Sequence, residues 1–138
     1  MADKSGGYSG TPLHKKLGIK PGFRMVVVSS PSAYHKMLEL PDGVSMVDHP
    51  DEASVDFIHI FVKTQADLTN QYARVKPYLK KSGLMWVSWP KKASKVITDL
   101  NRENIRAYIL DRGLVDVKVA SVNEIWSALK FVYRVKDR

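Results

Sequence analysis

"VDFIHIFVKTQADLTNQYARVKPYLKKSGLMWVSWPK", residues 55–91, decides the fold. Val55 to Lys63 is an almost unbroken apolar run, which suits a strand buried on both faces. Thr64, with Asp67 three residues on, resembles a capping box with Asp in place of Glu. Leu68, Tyr72, Val75 and Leu79 then follow helical spacing. Pro77 inside a helix would cost about 3 kcal/mol, so a kink or a loosened last turn is expected there. Gly83 is read as the end of the helical element, and Leu84 to Trp89 as the next strand. A strand, a helix and a second buried strand imply a parallel pair in a mostly parallel sheet.

The remainder of the chain extends that unit in both directions. Residues 1–10 carry Gly, Ser and Asp without apolar period and are read as a flexible arm. Thr11-Pro12 looks like a cap followed by Pro, with Leu13 and Leu17 four apart and Gly18 closing a short helix. Phe23 to Ser30 is a β-branched strand expected to be central in the sheet. Ser30-Pro31 repeats the cap-then-Pro signal, so a helix is expected over about 31–40, stopped by Pro41-Asp42-Gly43. Val44 to Asp48 is a short strand candidate. A further helix is expected over about 101–112, closed by Gly113. "LVDVKVASV" and "IWSALKFVYR", separated only by Asn123-Glu124, read as an antiparallel hairpin. Residues 11–138 thus form one α/β domain around a single open, mostly parallel sheet, with helices on both faces and an antiparallel hairpin at the C-terminal end.

Composition narrows the function classes. The 138 residues are 44% hydrophobic and 26% charged, as in an ordinary globular domain. No apolar run approaches the roughly 20 residues of a membrane span, so no membrane partner is expected. MADKSGG lacks the apolar centre of a secretory signal. Zero Cys excludes disulfides, thiolate metal sites and Cys nucleophiles. The net charge of +8 is uneven: residues 25–70 are acidic, and residues 71–138 hold fifteen of the 22 Lys and Arg. Such asymmetry steers anions to one side of a molecule.

The alternation resembles the class I methyltransferase fold, a Rossmann-like sheet. "VKPYLKKSGLMWVSWPK" is similar to the helix, Gly turn and strand in the second half of such enzymes. The front half is shortened, with one weak strand (44–48) where two would stand. "GYSGTPLHKKLGIKPG", "LMWVSWPKK" and "GLVDVKVASVNEIWSALKFVYR" together resemble an uncharacterised bacterial family known only as a domain of unknown function. That resemblance spans about 7–134 and implies a cytoplasmic bacterial protein, with no reaction attached.

The methyltransferase resemblance implies a Gly-rich turn after the first strand, where backbone approaches S-adenosylmethionine. Here the turn is "SSPSAYHKML", Ser29 to Leu38, without Gly and with Pro31. The usual cofactor mode is therefore expected to be lost, and the cofactor is left unknown. Asp48, 18 residues after Ser30, stands where such folds place the acid that binds ribose hydroxyls, and is the one cofactor-binding candidate. The four His form no HxxxH or HExxH, and His49 among Asp48, Asp51 and Glu52 lies too close in sequence to its neighbours to build a metal site. His59, inside an apolar strand, reads as a hydrogen-bonded core residue. Ser29 and Ser30 lack a nucleophile elbow, so no catalytic residue is assigned and the reading leans away from an enzyme.

Ligands of open α/β sheets bind outside the strand C-termini where strand order reverses. That point is expected between strands 23–30 and 55–63, with 84–89 beside them. The ligand-binding candidates there are Ser29, Ser30, Thr64, Trp89, Lys91 and Lys92, with two helix starts aiming N–H groups at the same rim. The resulting expectation is a methyltransferase-like module binding a small anionic ligand or a protein partner. The alternative is nucleic-acid binding through the basic C-terminal half.

Overall fold

The computed structural model describes residues 11–138; the arm expected over 1–10 lies outside the described residues. The elements are α1 (Leu13–Leu17), β1 (Arg24–Val28), α2 (Tyr34–Leu38), β2 (Ser45–Met46), β3 (Val55–Phe61), α3 (Gln65–Val75), β4 (Leu79–Pro90), α4 (Arg102–Leu110), β5 (Leu114–Ser121) and β6 (Trp126–Tyr133). The strands form one sheet in the order β2-β1-β3-β4-β6-β5. β2, β1, β3 and β4 pair in parallel, while β6 runs antiparallel to both β4 and β5. β5 therefore points the same way as the parallel set. No described helix is long and apolar enough to cross a membrane.

β1 is not the centre of the sheet. Only the two-residue β2 lies outside it, and its Val27 and Val28 are half-buried. Residues 44–48 supply one short strand beyond β1, whereas the C-terminal hairpin adds two long strands on the other side. The centre moves to β3 and β4.

Alternation sorts the core into two clusters. Val26, Ile58, Ile60, Val87 and Trp89 gather with Leu68, Tyr72 and Val75 of α3 and Ile105 and Ile109 of α4. Met25, Phe57, Phe61 and Trp86 gather with Leu13 and Leu17 of α1 and Tyr34 and Leu38 of α2. Trp86 and Trp89 thus fall in different clusters, as residues three apart on a strand must. Trp86 is fully buried and its indole N–H donates to the Leu17 carbonyl at 2.8 Å, which pins α1 to the sheet.

Local signals set several boundaries. Thr64 caps α3, its Oγ1 accepting from the Asp67 N–H at 3.0 Å. α3 passes into a 3-10 turn at Lys76–Tyr78, where Pro77 supplies no amide for an α-helical bond. Gly18 closes α1 in the left-handed region at φ 82°. Gly83, read as a helix end, lies inside β4 instead. The register of β3 with β4 jumps there from Val55↔Leu79 to Phe57↔Leu84. α2 is shorter than the expected 31–40, because a left-handed Glu39 at φ 47° ends it and Leu40 precedes Pro41.

Candidate functional site

The strand order reverses between β1 and β3, since β2 lies on one side of β1 and β3 on the other. A 360 Å³ cleft opens beside this point, lined by Ser29, Pro31, Phe61, Lys63, Asp67, Gln71 and Trp126. Ser29, just after β1, has φ 60°, so the turn takes a left-handed backbone without Gly. Phe61 and Trp126 form the apolar wall, edge to face with ring centroids 5.2 Å apart. Across from them, Gln71 reaches Ser29, Nε2 to Oγ at 3.5 Å. The Gln71 Oε1 is buried and, among the described residues, has no hydrogen-bond partner. Lys63 is exposed, and among the described residues its ammonium has no carboxylate partner.

The α3 N-terminus, expected to offer free N–H groups to an anion, is largely filled. The Lys63 N–H donates to Asp67 Oδ2 at 3.3 Å, the Gln65 N–H to Asp99 Oδ1 at 2.8 Å and the Asp67 N–H to Thr64. Two of these acceptors are carboxylates, which satisfy the helix dipole from within the protein. The α2 start is no anion site either. Its N-cap is Ala33, without a side-chain cap, and the Tyr34 N–H donates to the Pro31 carbonyl at 3.0 Å.

The rim residues separate into three groups. Ser29 lines the switch-point cleft and Ser30 lies beside it, with its Oγ 3.5 Å from His35 Nε2. Trp89 and Lys92 line a second cleft of 310 Å³ with Pro90, Thr98, Leu100 and Asn101. Thr98 donates through Oγ1 to the Lys63 carbonyl at 2.6 Å, and Asp99 holds Gln65, so the 91–101 segment is clasped onto the α3 start between the two clefts. Trp89 is 8% exposed and packs in the α3–α4 cluster. Lys91 turns away from Lys92 and donates through Nζ to Ser121 Oγ at 2.7 Å. Asp48 is exposed, two residues past β2, and lines neither cleft.

Beneath the switch point lies a buried polar chain. His59 is fully buried, with Nδ1 2.6 Å from the Tyr34 hydroxyl and Nε2 2.7 Å from Ser88 Oγ. Burial pushes the His59 imidazole down to about 3 and the Tyr34 phenol far above its ordinary value. The three groups are therefore neutral near pH 7, and all of them are closed to solvent. They anchor α2 to β3 and β4 and cannot reach a substrate.

Sequence reasoning missed Gln71 and Trp126 as site residues. Gln71 is signalled by its spacing, four residues and one turn after Asp67, on the side of α3 near the strand ends. Trp126 arrives through the Pro90↔Trp126 pairing of β4 with β6, a register with no local signal.

No family model matches the sequence, and no curated protein does. Among solved structures, an S-adenosylmethionine-dependent methyltransferase from Aquifex aeolicus superposes with a TM-score of 0.58 at 14% identity, covering 85% of each chain. The fold is methyltransferase-like. The complex of the Haloferax volcanii Trm112 methyltransferase activator with a methyltransferase gives 0.58 at 12% identity, over 88% of this chain and 86% of the other. The Bacillus subtilis M1A22 tRNA methyltransferase TrmK gives 0.56 at 13%, over 98% of this chain and 68% of the other.

The left-handed residue of a methyltransferase-like turn is present, but Ser29 and Pro31 place a hydroxymethyl group and a ring on the cleft wall, and Pro31 has no N–H. A Gly turn would leave that wall to bare backbone. These residues do not fit the Gly-turn mode of holding S-adenosylmethionine, and no methyl-transfer step is derived for them.

Proposed function

We propose that the protein is a methyltransferase-like binding module that holds a small ligand, anionic at one end, in the switch-point cleft and transfers no methyl group. The observation that carries this reading is Gln71 Oε1, buried without a partner at a cleft that also holds a cation without a carboxylate partner. A buried carbonyl left without a donor costs roughly 1–3 kcal/mol. A ligand hydrogen-bonding group would return that energy, as a donor to the oxygen or, with the amide turned over, as an acceptor from the nitrogen. Lys63 would take the anionic end, and Ser29 Oγ, 3.5 Å from Gln71, would complete the polar side. Phe61 and Trp126 would exclude water from the opposite side.

In this reading Ser29 and Ser30 belong to the site, and Thr64 serves it by capping α3. Trp89 is a packing residue, Lys91 and Lys92 serve other surfaces, and Asp48 stays outside. The two core clusters, one with α1 and α2 and one with α3 and α4, support a sheet covered by helices on both faces. The family resemblance supports a cytoplasmic bacterial setting.

The test combines mass spectrometry of ligands carried through purification with calorimetry of the ligand found, on wild type and on Gln71→Leu and Lys63→Glu. A weakening of about tenfold or more in each variant is expected, as for a lost hydrogen bond to a buried or charged group. The ligand-free Gln71→Leu protein should be no less stable than wild type, because the orphaned oxygen is gone. S-adenosylmethionine binding with micromolar affinity, about −8 kcal/mol, would overturn the reading. So would a ligand whose affinity ignores both substitutions.

A further inference from the structure

Five lysines gather on the α1 side of the sheet without an acid among them. Lys118 of β5 stands directly opposite Lys130 of β6, and Lys130 is in turn opposite Trp86, whose indole bonds α1. Like charges placed directly across a ladder are destabilising. Lys16 of α1 and Lys91 at the end of β4 converge on one residue. Lys16 Nζ donates to the Ser121 carbonyl at 2.9 Å and Lys91 Nζ to Ser121 Oγ at 2.7 Å. Lys118 Nζ also reaches the Lys16 carbonyl, at 3.5 Å. Lys20, just past α1, completes the group through its repulsion of Lys130. Among the described residues no Asp or Glu forms an ion pair with any of the five, although Asp56, Asp111 and Asp116 pair with other cations. Burial and then the neighbouring lysines push Lys16 and Lys130 below the ordinary lysine value.

We propose that this face, carrying Lys16, Lys20, Lys91, Lys118 and Lys130, binds the phosphate backbone of a nucleic acid. A cluster of mutually repelling ammonium groups is relieved by an anion, and one spread over α1, β4, β5 and β6 is too wide for a single small one. Lysines act as point charges on phosphates and carry no fork for reading a base edge. Trp86, opposite Lys130, is fully buried, and Trp126, further along β6 on the same side, is 7% exposed, so neither offers an open face to a base. Binding is therefore independent of base sequence. A membrane surface fits less well, because the exposed Val119 on β5 alternates away from Lys118 and Ile125, beside Lys91, is a single exposed side chain. The face differs from the basic C-terminal half expected from the sequence: Lys16 and Lys20 come from the start of the chain, and Lys95 and Arg102 are not part of it.

The experiment is fluorescence anisotropy with a labelled 20-nucleotide single-stranded RNA and a DNA duplex of the same length, between 50 and 300 mM salt. Wild type is compared with Lys118→Gln/Lys130→Gln and with Lys95→Gln/Arg102→Gln, which removes the same charge elsewhere. The first pair should weaken binding at least tenfold at low salt. It should also reduce the slope of log K against log salt by about 1.4 on single strands and about 1.8 on duplex, two phosphate contacts' worth. Its thermal midpoint should not fall, since a like-charge pair has been removed. The second pair should change binding by less than threefold. The proposal is overturned if wild type binds neither probe at 50 mM salt, if both pairs weaken binding equally, or if phosphatidylserine vesicles bind while both nucleic acids do not.

Discussion

His59 shows how one buried residue sets a pH limit on this fold. It lies within hydrogen-bond distance of Tyr34 and Ser88 and stacks on Phe61 with ring centroids 4.2 Å apart. A neutral imidazole satisfies both hydroxyls, one nitrogen donating and the other accepting. Its folded-state value of about 3 lies below the unfolded value of 6.5. Between those values the unfolded chain binds a proton that the folded chain refuses, so stability is complete above pH 6.5 and declines as pH falls toward 3. The expected loss is roughly 3–5 kcal/mol over that window. Urea unfolding of wild type and His59→Gln at pH 7, 5.5 and 4.5 measures it. The variant should be less stable at pH 7 and lose less on acidification; parallel acid limbs would assign the decline to other groups. The burial of His59 was readable from its apolar strand. Its partners were not, because they lie 25 and 29 residues away and meet it only once α2 and β4 are in place. The same distinction applies to the cleft. Ser29 follows from the end of an obvious strand, whereas the orphaned oxygen of Gln71 exists only in the folded packing.

At the scale of elements, locally encoded features were readable and those needing a partner strand were not. Thr64 and Asp67 cap α3 from within four residues, and the loosened last turn expected at Pro77 is a 3-10 turn, after which Leu79, expected to be helical, already starts β4. Gly83 misled because Gly ordinarily closes helices. Here its lack of a side chain serves a close approach within the sheet. A Cβ at Gly83 would sit 2.7 Å from Leu79 Cδ1, 2.9 Å from the Asp56 carbonyl oxygen and 3.1 Å from the Lys80 carbonyl oxygen. Leu79 can rotate, but two backbone oxygens cannot move without disturbing the irregular register of β3 and β4. Gly83→Ala should therefore destabilise by about 1–3 kcal/mol through overpacking. Chemical denaturation checks this, and an unchanged midpoint would show that the irregular segment yields freely. The α3 start teaches the same lesson. Its cap was local, but Asp99, which occupies the Gln65 N–H, comes from 34 residues downstream. An open helix N-terminus could not be distinguished from a filled one before the 91–101 segment was placed.

For the whole molecule, the sequence's parallel core and closing antiparallel strands survive, and the functional geometry is redistributed. One rim was expected at the strand ends; the sheet instead carries two clefts there and a lysine face reached by Lys91. The charge imbalance was visible as a count, but only the Lys118↔Lys130 register shows where repulsion concentrates. That repulsion is a property of the folded state, since the unfolded chain separates these lysines. It predicts an unusual salt response for a protein without bound ligand. Exposed ion pairs such as Arg106–Asp116 contribute little and weaken slightly with salt, while screening removes more of the lysine repulsion, a cost of roughly 0.2–1 kcal/mol per opposed pair. The thermal midpoint should rise by on the order of 1–3 °C between 10 and 300 mM sodium chloride, the shift expected of relieving up to about 1 kcal/mol in a chain of this size. Lys118→Gln should start higher at low salt and rise less, so that the two curves converge at high salt. A midpoint that is flat or falls with salt in wild type would mean that the five ammonium groups are already screened by solvent, and that the Lys118↔Lys130 pairing carries no energetic cost to be relieved by a phosphate backbone.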